Sequence, residues 1–185
     1  MLKILVCVKQ VPDVNLVKID PVTGSLIRKG VPAILNPLDA NALEAAVQVK
    51  ERYGGEITCI TMGPNQAMEA LRECLAAGAD RAVLLSDRAF ANADTLATSY
   101  VIVTAAKVLG EFDLVFCGKE SLDGATGQMG AQLAERFDAS QISSMSRIIA
   151  IDEAAKTVTA ERELERGIEV CEAKYPCLLT VEKTN

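Results

Sequence analysis

Short apolar segments rich in branched residues alternate with amphipathic segments along residues 1–140. The four apolar segments are Leu2–Val8, Glu56–Thr61, Arg81–Ser86 and Leu114–Gly118. Their length and composition are typical of strands that are buried on both faces. Strands that alternate with helices form βαβ units, whose parallel sheet is covered by a layer of helices on each side. The alternation therefore predicts an α/β fold with a mainly parallel sheet.

Capping residues and glycines mark where the first three of the four predicted helices begin and end. The predicted N-caps of the first three helices are Asn36, Asn65 and Asp94. Glycines follow the ends of the same helices, at Gly54, Gly78 and Gly110. Pro37 favours the first position of the first helix. The fourth helix is predicted to begin near Thr126.

Two regions depart from this alternation. Between the first strand and the first helix, Leu16–Ile19 and Ser25–Arg28 have the pattern of a small hairpin. After Gln141, four strand-like segments follow one another without helices between them. They are Ile142–Ile151, Thr157–Arg162, Ile168–Glu172 and Leu178–Glu182. We expect these segments to be antiparallel strands added at the C-terminal end of the sheet, because strands joined by short turns pair in that way.

The composition excludes several classes of function. The 185 residues include no histidine, so the chain cannot form a Ser-His-Asp triad, a Cys-His dyad or a His-ligated metal site. The 25 acidic residues outnumber the 19 basic ones and give a net charge of −6. This balance argues against a nucleic-acid partner. The length is that of one domain, which we expect to span residues 1–185.

Three features predict a cytoplasmic protein. The apolar stretch at the N-terminus is too short for the core of a signal peptide, and Lys9 interrupts it. Apolar runs fall short of the roughly 20 residues that span a bilayer, so no membrane insertion is expected. The six cysteines are scattered without a Cys-x-x-Cys pair, a pattern that favours reduced, buried thiols.

The strongest local signal for a site follows the fourth predicted strand. In open parallel sheets, ligands bind beyond the carboxyl ends of the strands. There Gly124, Gly127 and Gly130 recur every third residue at a helix start, and glycines allow a backbone to approach a ligand closely. Free N–H groups and the helix dipole favour a phosphate at such a start, and Thr126 and Gln128 add polar donors. The alternative is a helix start that only packs tightly.

A second signal lies at the start of the third helix. Thr95 and Thr98 lie three residues apart on one face of its first turn, where two hydroxyl groups can bind a pyrophosphate. The alternative is ordinary capping, with Asp94 as the N-cap. Lys9, at the end of the first strand, either contacts a phosphate or closes the strand. These signals indicate a phosphate-bearing ligand such as a nucleotide. Any catalysis is expected to depend on a cofactor, because the sequence offers no obvious general base or nucleophile.

The same segments resemble the β subunit of electron-transfer flavoproteins. The matching stretches, which extend from Met1 to about Val181 in the family's order, are Val6–Asp13, Lys18–Gly24, Asn36–Pro37, Ala42–Glu44, Thr61–Pro64, Gly78–Asp80 and Asp123–Gln128. Ser86–Phe90 followed by Ala93–Ser99 is similar to the flavin-bifurcating branch of the family. The resemblance implies a Rossmann-like three-layer sandwich of the adenine nucleotide-binding type.

The resemblance also implies a set of site residues. It assigns Cys7, Asn36, Met62 and the Asp123–Met129 loop to a nucleotide site, and it supports the two threonines of the third helix as phosphate or flavin contacts. With Lys9 and Asp94 added, the predicted cofactor-binding residues are Cys7, Lys9, Asn36, Met62, Asp94, Thr95, Thr98, Asp123, Gly124, Thr126, Gly127, Gln128 and Met129. No catalytic residue and no metal ligand is predicted.

Cofactor and partners follow from the same resemblance. In this family an α subunit holds the electron-carrying FAD, and the β subunit binds AMP in ordinary members or a second FAD in flavin-bifurcating members. The resemblance implies FAD here, with AMP as the alternative. The implied partners are the electron-transfer flavoprotein α subunit, an acyl-CoA dehydrogenase-type protein, and ferredoxin or flavodoxin. In that role a hydride from NADH reduces the flavin, and the two electrons then go separately to the α-subunit FAD and to ferredoxin or flavodoxin.

Two departures from the family keep a second function open. Ala125 and Gly127 differ from the phosphate loop of the flavin-bifurcating branch, and Thr126–Gln128 is more similar to AMP-binding members. Family members also continue beyond the equivalent of Val181 with a partner-recognition loop and an arm around the α subunit, which we expect to be absent here. The alternative function is a non-catalytic AMP- or ATP-binding module, structural or regulatory, like the stress-protein relatives of this fold.

Overall fold

Strands and helices alternate as expected in the part of the chain that this computed structural model describes, which is residues 1–13, 16, 18–19, 26–27 and 31–182. The strands are β1 (Lys3–Cys7), β2 (Gln10–Pro12), β3 (Lys18–Ile19), β4 (Leu26–Ile27), β5 (Ala33–Leu35), β6 (Glu56–Met62), β7 (Arg81–Leu85), β8 (Leu114–Gly118), β9 (Ser140–Asp152), β10 (Thr157–Leu164), β11 (Gly167–Lys174) and β12 (Cys177–Val181). The α-helices are α1 (Pro37–Tyr53), α2 (Met68–Ala76), α3 (Thr95–Leu109) and α4 (Met129–Phe137).

One mixed sheet organises the fold, with eight strands in the order β11-β10-β9-β12-β8-β1-β6-β7. Neighbouring strands run parallel from β9 across to β7. The last two strands at the other edge, β10 and β11, are antiparallel to their neighbours. The prediction of an α/β fold with a mainly parallel sheet and antiparallel strands at its C-terminal end is therefore confirmed.

The predicted pairing of the last strand is wrong. The sequence pattern predicts Leu178–Glu182 as one of the antiparallel strands, whereas β12 runs parallel to both β8 and β9 and lies between them. All five residues of β12 are buried. A strand that is buried on both faces needs a partner on each side and a cover over each face, and the interior of the parallel half supplies both.

Two predicted helix starts also differ from the structure. The fourth helix begins at Met129 and not near Thr126, because the positive φ angles of Ala125 (45°) and Gly127 (62°) are incompatible with a right-handed helix. Asn65 does not cap the second helix. It begins a short 3-10 turn without a capping side-chain bond, and α2 follows from Met68.

The predicted hairpin near the N-terminus is confirmed as far as the structure describes it. β3 and β4 pair in antiparallel register, with Lys18 opposite Ile27 and Ile19 opposite Leu26. Val17, residues 20–25 and Arg28, which complete the predicted hairpin, lie outside the described residues.

Side chains of the central strands alternate between two buried layers. On β1, Ile4 and Val6 pack with α1 and α2, whereas Leu5 and Cys7 pack with α3 and α4. This two-residue period, read on a strand with helices on both sides, explains why the strand sequence is continuously apolar. Five of the six cysteines are buried, and Cys171 is half-buried. Within the described residues, no helix combines the length and the apolar character needed to cross a bilayer.

Candidate functional site

The strand order creates a crevice at the carboxyl ends of β1 and β8. From β1 the chain moves to β6 and then β7 on one side, and it returns to β8 on the other side of β1. Ligands of open α/β sheets bind at such a reversal of strand order, since the flanking connections separate there. A cavity of about 270 Å³ opens at this place, between the start of α3 and the loop that joins β8 to α4.

Most of the predicted site residues meet at this cavity. Ten of the thirteen line it: Cys7, Lys9, Met62, Asp94, Thr95, Thr98, Gly124, Thr126, Gly127 and Met129. The other three, Asn36, Asp123 and Gln128, are not among the lining residues, but each hydrogen-bonds a residue that is. The structure therefore brings both predicted signals, the glycine loop and the first turn of α3, into one site.

Asp39, a residue of α1 that the sequence analysis did not assign to the site, joins the ends of the two central strands. Its carboxylate is buried and accepts hydrogen bonds from the backbone N–H of Lys9 and of Gly118, both at 2.8 Å. Burial raises the pKa of Asp39 to about 7, although the bonds from Gly118, Asn36 and Lys9 act in the opposite direction. The sequence signal for this role was weak, because an Asp in the first turn of a helix ordinarily only complements the helix dipole.

Gly118 is what allows α1 to approach β8 so closely. A Cβ atom at this position would lie 2.6 Å from Oδ1 of Asp39 and 2.7 Å from the carbonyl carbon of Leu38. The contact with backbone leaves little room for adjustment. The end of β8 must therefore be glycine for the Asp39 carboxylate to reach the strand ends.

Asn36 fixes the first part of the loop after β8. Its side chain is fully buried, donates to the carbonyl oxygen of Glu120 at 2.9 Å and accepts from the N–H of Leu122 at 3.2 Å. Asn36 is the N-cap residue of α1, as predicted, but its side chain makes no capping bond there. Its amide instead holds the loop against the start of α1.

Lys9 closes one wall of the cavity through an ion pair. Its ammonium group lies 2.7 Å from Oδ1 and 2.9 Å from Oδ2 of Asp123, and 3.3 Å from Oγ of Ser121. Partial burial would raise the pKa of Asp123, but the hydrogen bonds from Lys9 and Ser121 outweigh it and hold that pKa below its usual value. The ammonium group that this wall offers, that of Lys9, is therefore already bonded to a carboxylate of the loop.

The first turn of α3 contributes caps as well as cavity wall. Oδ1 of Asp94 accepts from the N–H of Ala97 at 2.8 Å, so the capping interpretation of Asp94 is confirmed. The hydroxyl group of Thr95 donates to Oε1 of Gln128 at 3.2 Å and accepts from Nε2 of Gln132 at 3.1 Å. Thr95 thus connects α3 to the loop and to α4, while Thr98 lines the cavity one turn further on.

The three regularly spaced glycines have different structural roles. A Cβ at Gly130 would lie 2.2 Å from Cγ2 of Thr180, so this glycine serves the close packing of α4 on β12. Gly127 has a positive φ angle. A Cβ atom added there would lie 4.0 Å from its nearest neighbour, Oε2 of Glu120. Gly124 makes only an ordinary contact with Ser121. Tight packing therefore explains Gly130, whereas Gly124 and Gly127 leave the loop backbone uncovered at the cavity.

The inner wall of the cavity is apolar and unreactive. Met62, Ile102 and Leu133 lie beside two thiols, those of Cys7 and Cys117, which are opposite each other on β1 and β8. Burial raises the pKa of both thiols, with a further contribution from the Asp39 charge, so they stay protonated. Among the described residues, no cluster of three or more potential metal ligands occurs. The arrangement is suited to binding an amphipathic anion and not to nucleophilic chemistry of its own.

Comparison with known proteins identifies the family. A family model for the electron transfer flavoprotein domain matches residues 23–185. Protein FixA of Bradyrhizobium diazoefficiens is 47% identical over 186 residues, which cover 98% of this chain and 65% of that protein. This chain therefore spans less than two thirds of the length of that relative.

Two further relatives carry the family's name more directly. The caffeyl-CoA reductase-Etf complex subunit CarD of Acetobacterium woodii is 52% identical over 183 residues, and the electron transfer flavoprotein subunit beta of Clostridium acetobutylicum is 50% identical over 182 residues. In both comparisons the alignment covers 98% of this chain and 69% of the relative. The chain described here belongs to the electron transfer flavoprotein β subunit/FixA family.

Proposed function

We propose that this chain is a nucleotide-binding subunit for electron transfer, and that its cavity holds the adenosine and phosphate part of FAD. The observation that carries the proposal is the meeting of two segments in one cavity, the loop around Gly124 and Gly127 and the first turn of α3. A flavin dinucleotide needs a site that extends from a phosphate loop toward a second anchoring segment. Family membership supports the same conclusion.

The residues around the cavity fit this part of a nucleotide. Met62, Ile102 and Leu133 offer an apolar wall to an aromatic ring. The first turns of α3 and α4 carry backbone N–H groups that lack partners within their helices, and such groups favour phosphate oxygens. The uncovered backbone at Gly127 allows close approach on the loop side.

FAD, when bound, supplies the redox chemistry, and the chain supplies its position. Asp39 and Gly118 hold the ends of β1 and β8 together, which fixes the floor of the site. Asn36 holds the loop on one side. Because the thiols of Cys7 and Cys117 stay protonated, they form a neutral surface that does not attack the ligand.

AMP is the second candidate ligand, and two observations favour it. The cavity of about 270 Å³ is close to the lower limit of small-molecule sites, roughly 300 Å³, and so is suited to a mononucleotide. The Thr126–Gln128 stretch also agrees better with AMP-binding members of the family. In this alternative the chain binds the nucleotide as a structural or regulatory module.

The proposed partners follow from the family. We propose an electron-transfer flavoprotein α subunit as the direct partner, with an acyl-CoA dehydrogenase-type protein and ferredoxin or flavodoxin as electron donors or acceptors. The supporting observation is that one relative, at 52% identity, is named as a subunit of a caffeyl-CoA reductase-Etf complex.

Identification of the bound nucleotide tests the proposal. The protein is purified alone and together with a family α subunit, denatured, and the released nucleotide is identified by its absorbance and chromatographic behaviour. FAD in excess of the amount carried by the α subunit is the expected result. Released AMP without additional flavin contradicts the FAD assignment and supports the second candidate. Absence of any nucleotide, together with no binding of added FAD or AMP, contradicts the proposed function itself.

A pair of substitutions in α3 locates the site. Thr95→Ala with Thr98→Ala is expected to weaken FAD binding by about tenfold, because two hydroxyl groups at the cavity are lost. Thr104→Ala is the matched control, since Thr104 lies on the same helix, is exposed, and is not among the cavity-lining residues. Equal affinity of the double variant and the control removes the first turn of α3 from the site.

A further inference from the structure

The charges around the cavity are unusual for a site that takes a phosphate. Lining side chains contribute the ammonium groups of Lys9 and Lys119 and the carboxyl groups of Asp39, Asp94 and Glu120. Each lysine is also bonded to a further carboxylate just outside the lining, Lys9 to Asp123 and Lys119 to Glu182 at 3.0 Å. In the described part of the site, carboxyl groups therefore outnumber ammonium groups, and both lysines are already engaged.

Asp123 holds Lys9 firmly. Both of its carboxylate oxygens lie within 3 Å of the ammonium nitrogen, and Ser121 takes a third contact at 3.3 Å. An ammonium group has three N–H donors, so these contacts can engage all of them. A ligand phosphate has to draw the ammonium group away from Asp123 before it can use Lys9.

We propose that Asp123 is a specificity-determining residue that limits the phosphate charge of the nucleotide by holding Lys9. This inference rests on the proposed function, because it concerns the nucleotide of the same cavity. Ligands with little phosphate charge bind through backbone N–H groups and the apolar wall and do not need Lys9. Ligands with more charge need Lys9 and must compete with the Asp123 carboxylate for its ammonium group, so the affinity lost to Asp123 increases with each added phosphate.

The test is a charge series of ligands that share one base and sugar. Binding of adenosine, AMP, ADP and ATP is measured for the wild-type protein and for Asp123→Asn, which keeps the shape of the side chain and removes its charge. The gain in affinity of the variant is expected to increase by about twofold to threefold with each phosphate and to be absent for adenosine. A gain that is the same for all four ligands overturns the inference.

Glu120→Gln is the matched control. It removes a carboxylate from the same cavity, but Lys9 bonds Asp123 and Ser121 and not Glu120. If the gain across the series is as large for Glu120→Gln as for Asp123→Asn, total charge alone sets the preference and the role given to Asp123 is wrong. The gain of Asp123→Asn is also expected to fall by at least half in a Lys9→Met background. A gain that is unchanged in that background overturns the inference as well.

A measurement on the wild-type protein alone covers the case in which the variants fold poorly. Salt screens charge repulsion between exposed groups, so the affinity for ATP relative to AMP is expected to rise from low to high ionic strength. A ratio that falls or stays constant contradicts the inference. Binding of none of the four ligands overturns both this inference and the proposed function, whereas binding without a charge-dependent gain overturns this inference alone.

Discussion

The two halves of the sheet meet at β9 and differ in almost every physical respect. In the parallel half, β1, β8 and β12 are covered by helices on both faces, and β8 and β12 are buried along their whole length. At the other edge, β11 is largely exposed, with Ile168 and Val170 at 68% and 59% exposure. The stability of the parallel half depends on close packing of its side chains, whereas that of the antiparallel edge depends mainly on pairing between neighbouring strands.

The difference extends to polar groups. In the parallel half, Asp39 and Asn36 are buried and each makes two hydrogen bonds to backbone, which fix the site. The charged pairs of the antiparallel edge, such as Arg147 with Glu161, have one or both side chains well exposed to solvent. Exposed pairs contribute little to stability, whereas an unmade bond to a buried group is costly. Substitutions should therefore matter far more at the strand ends of the parallel half.

The largest effect is expected from Gly118→Ala. The added Cβ would meet the backbone of Leu38 at 2.7 Å and the Asp39 carboxylate at 2.6 Å, so α1 must move away from β8. We expect a loss of about 3 kcal/mol or more in the free energy of unfolding, measured by denaturant titration. Gly124→Ala is the control, because its Cβ would lie 3.4 Å from Ser121, an ordinary contact. Comparable losses in both variants contradict the close approach described for Gly118.

The second effect concerns pH. The pKa of Asp39 rises from 3.8 to about 7 on folding, so between these values the folded state binds a proton that the unfolded state does not. Asp39 thus adds stability that is complete below about pH 4 and is lost as the pH rises through about 7, about 4 kcal/mol in all. The lowered pKa values of Asp123 and Asp80 act at more acidic pH. The chain has no histidine to obscure the effect near neutrality.

Unfolding of the wild-type protein and Asp39→Asn from pH 5 to pH 8 measures this contribution. The variant is expected to be less stable by about 1–3 kcal/mol at pH 5, because the neutral carboxyl group can accept from Lys9 and Gly118 through both oxygens, whereas the nitrogen of an amide cannot accept. Its stability is also expected to change less with pH. A pH dependence identical to that of the wild-type protein shows that the carboxylate does not titrate in this range.

A smaller and more local effect is expected at Asn36. Asn36→Ala removes the bonds to Glu120 and Leu122 and is expected to cost about 1–2 kcal/mol. Hydrogen exchange at the Leu122 amide should become faster, because the loop loses its attachment to the start of α1. Asn41→Ala is the control, since within the described part of the chain the Asn41 side chain bonds only the carbonyl oxygen of Glu182, at 3.1 Å. Unchanged exchange at Leu122 contradicts the attachment.

The smallest effect is expected at the antiparallel edge. Ile168→Thr and Val170→Thr replace exposed side chains and keep β-branching, so each should change the free energy of unfolding by less than about 0.5 kcal/mol. Val115→Thr, on fully buried β8, is the contrast and should cost more than about 1 kcal/mol. A cost above that level at Ile168 or Val170 shows that this face is covered in solution and removes the distinction between the two regions.

The sequence patterns predicted those features of the fold and of the site that depend on residues close together in the chain. The continuously apolar runs at β1 and β8 identified buried strands, and the spacing of Gly124 and Gly127 identified the loop at the cavity. The neighbouring strands of β12 in the sheet were not predictable in the same way, because an apolar run indicates that a strand is buried but not which strands pair with it. Asp39 was missed for a related reason. Its importance depends on the end of β8, 79 residues further along the chain, and no local pattern records that contact.

The placement of β12 also constrains how the chain reaches this structure. β12 lies between β8 and β9, although it follows both in sequence. During synthesis, β8 and β9 therefore emerge before the strand that separates them, and each presents an unpaired edge until Cys177–Val181 is available. Pairings between such distant segments form slowly, and open strand edges favour aggregation. We expect a nascent chain stalled before Cys177 to remain susceptible to proteolysis between β8 and β9, and release of Val181 from the ribosome to protect it.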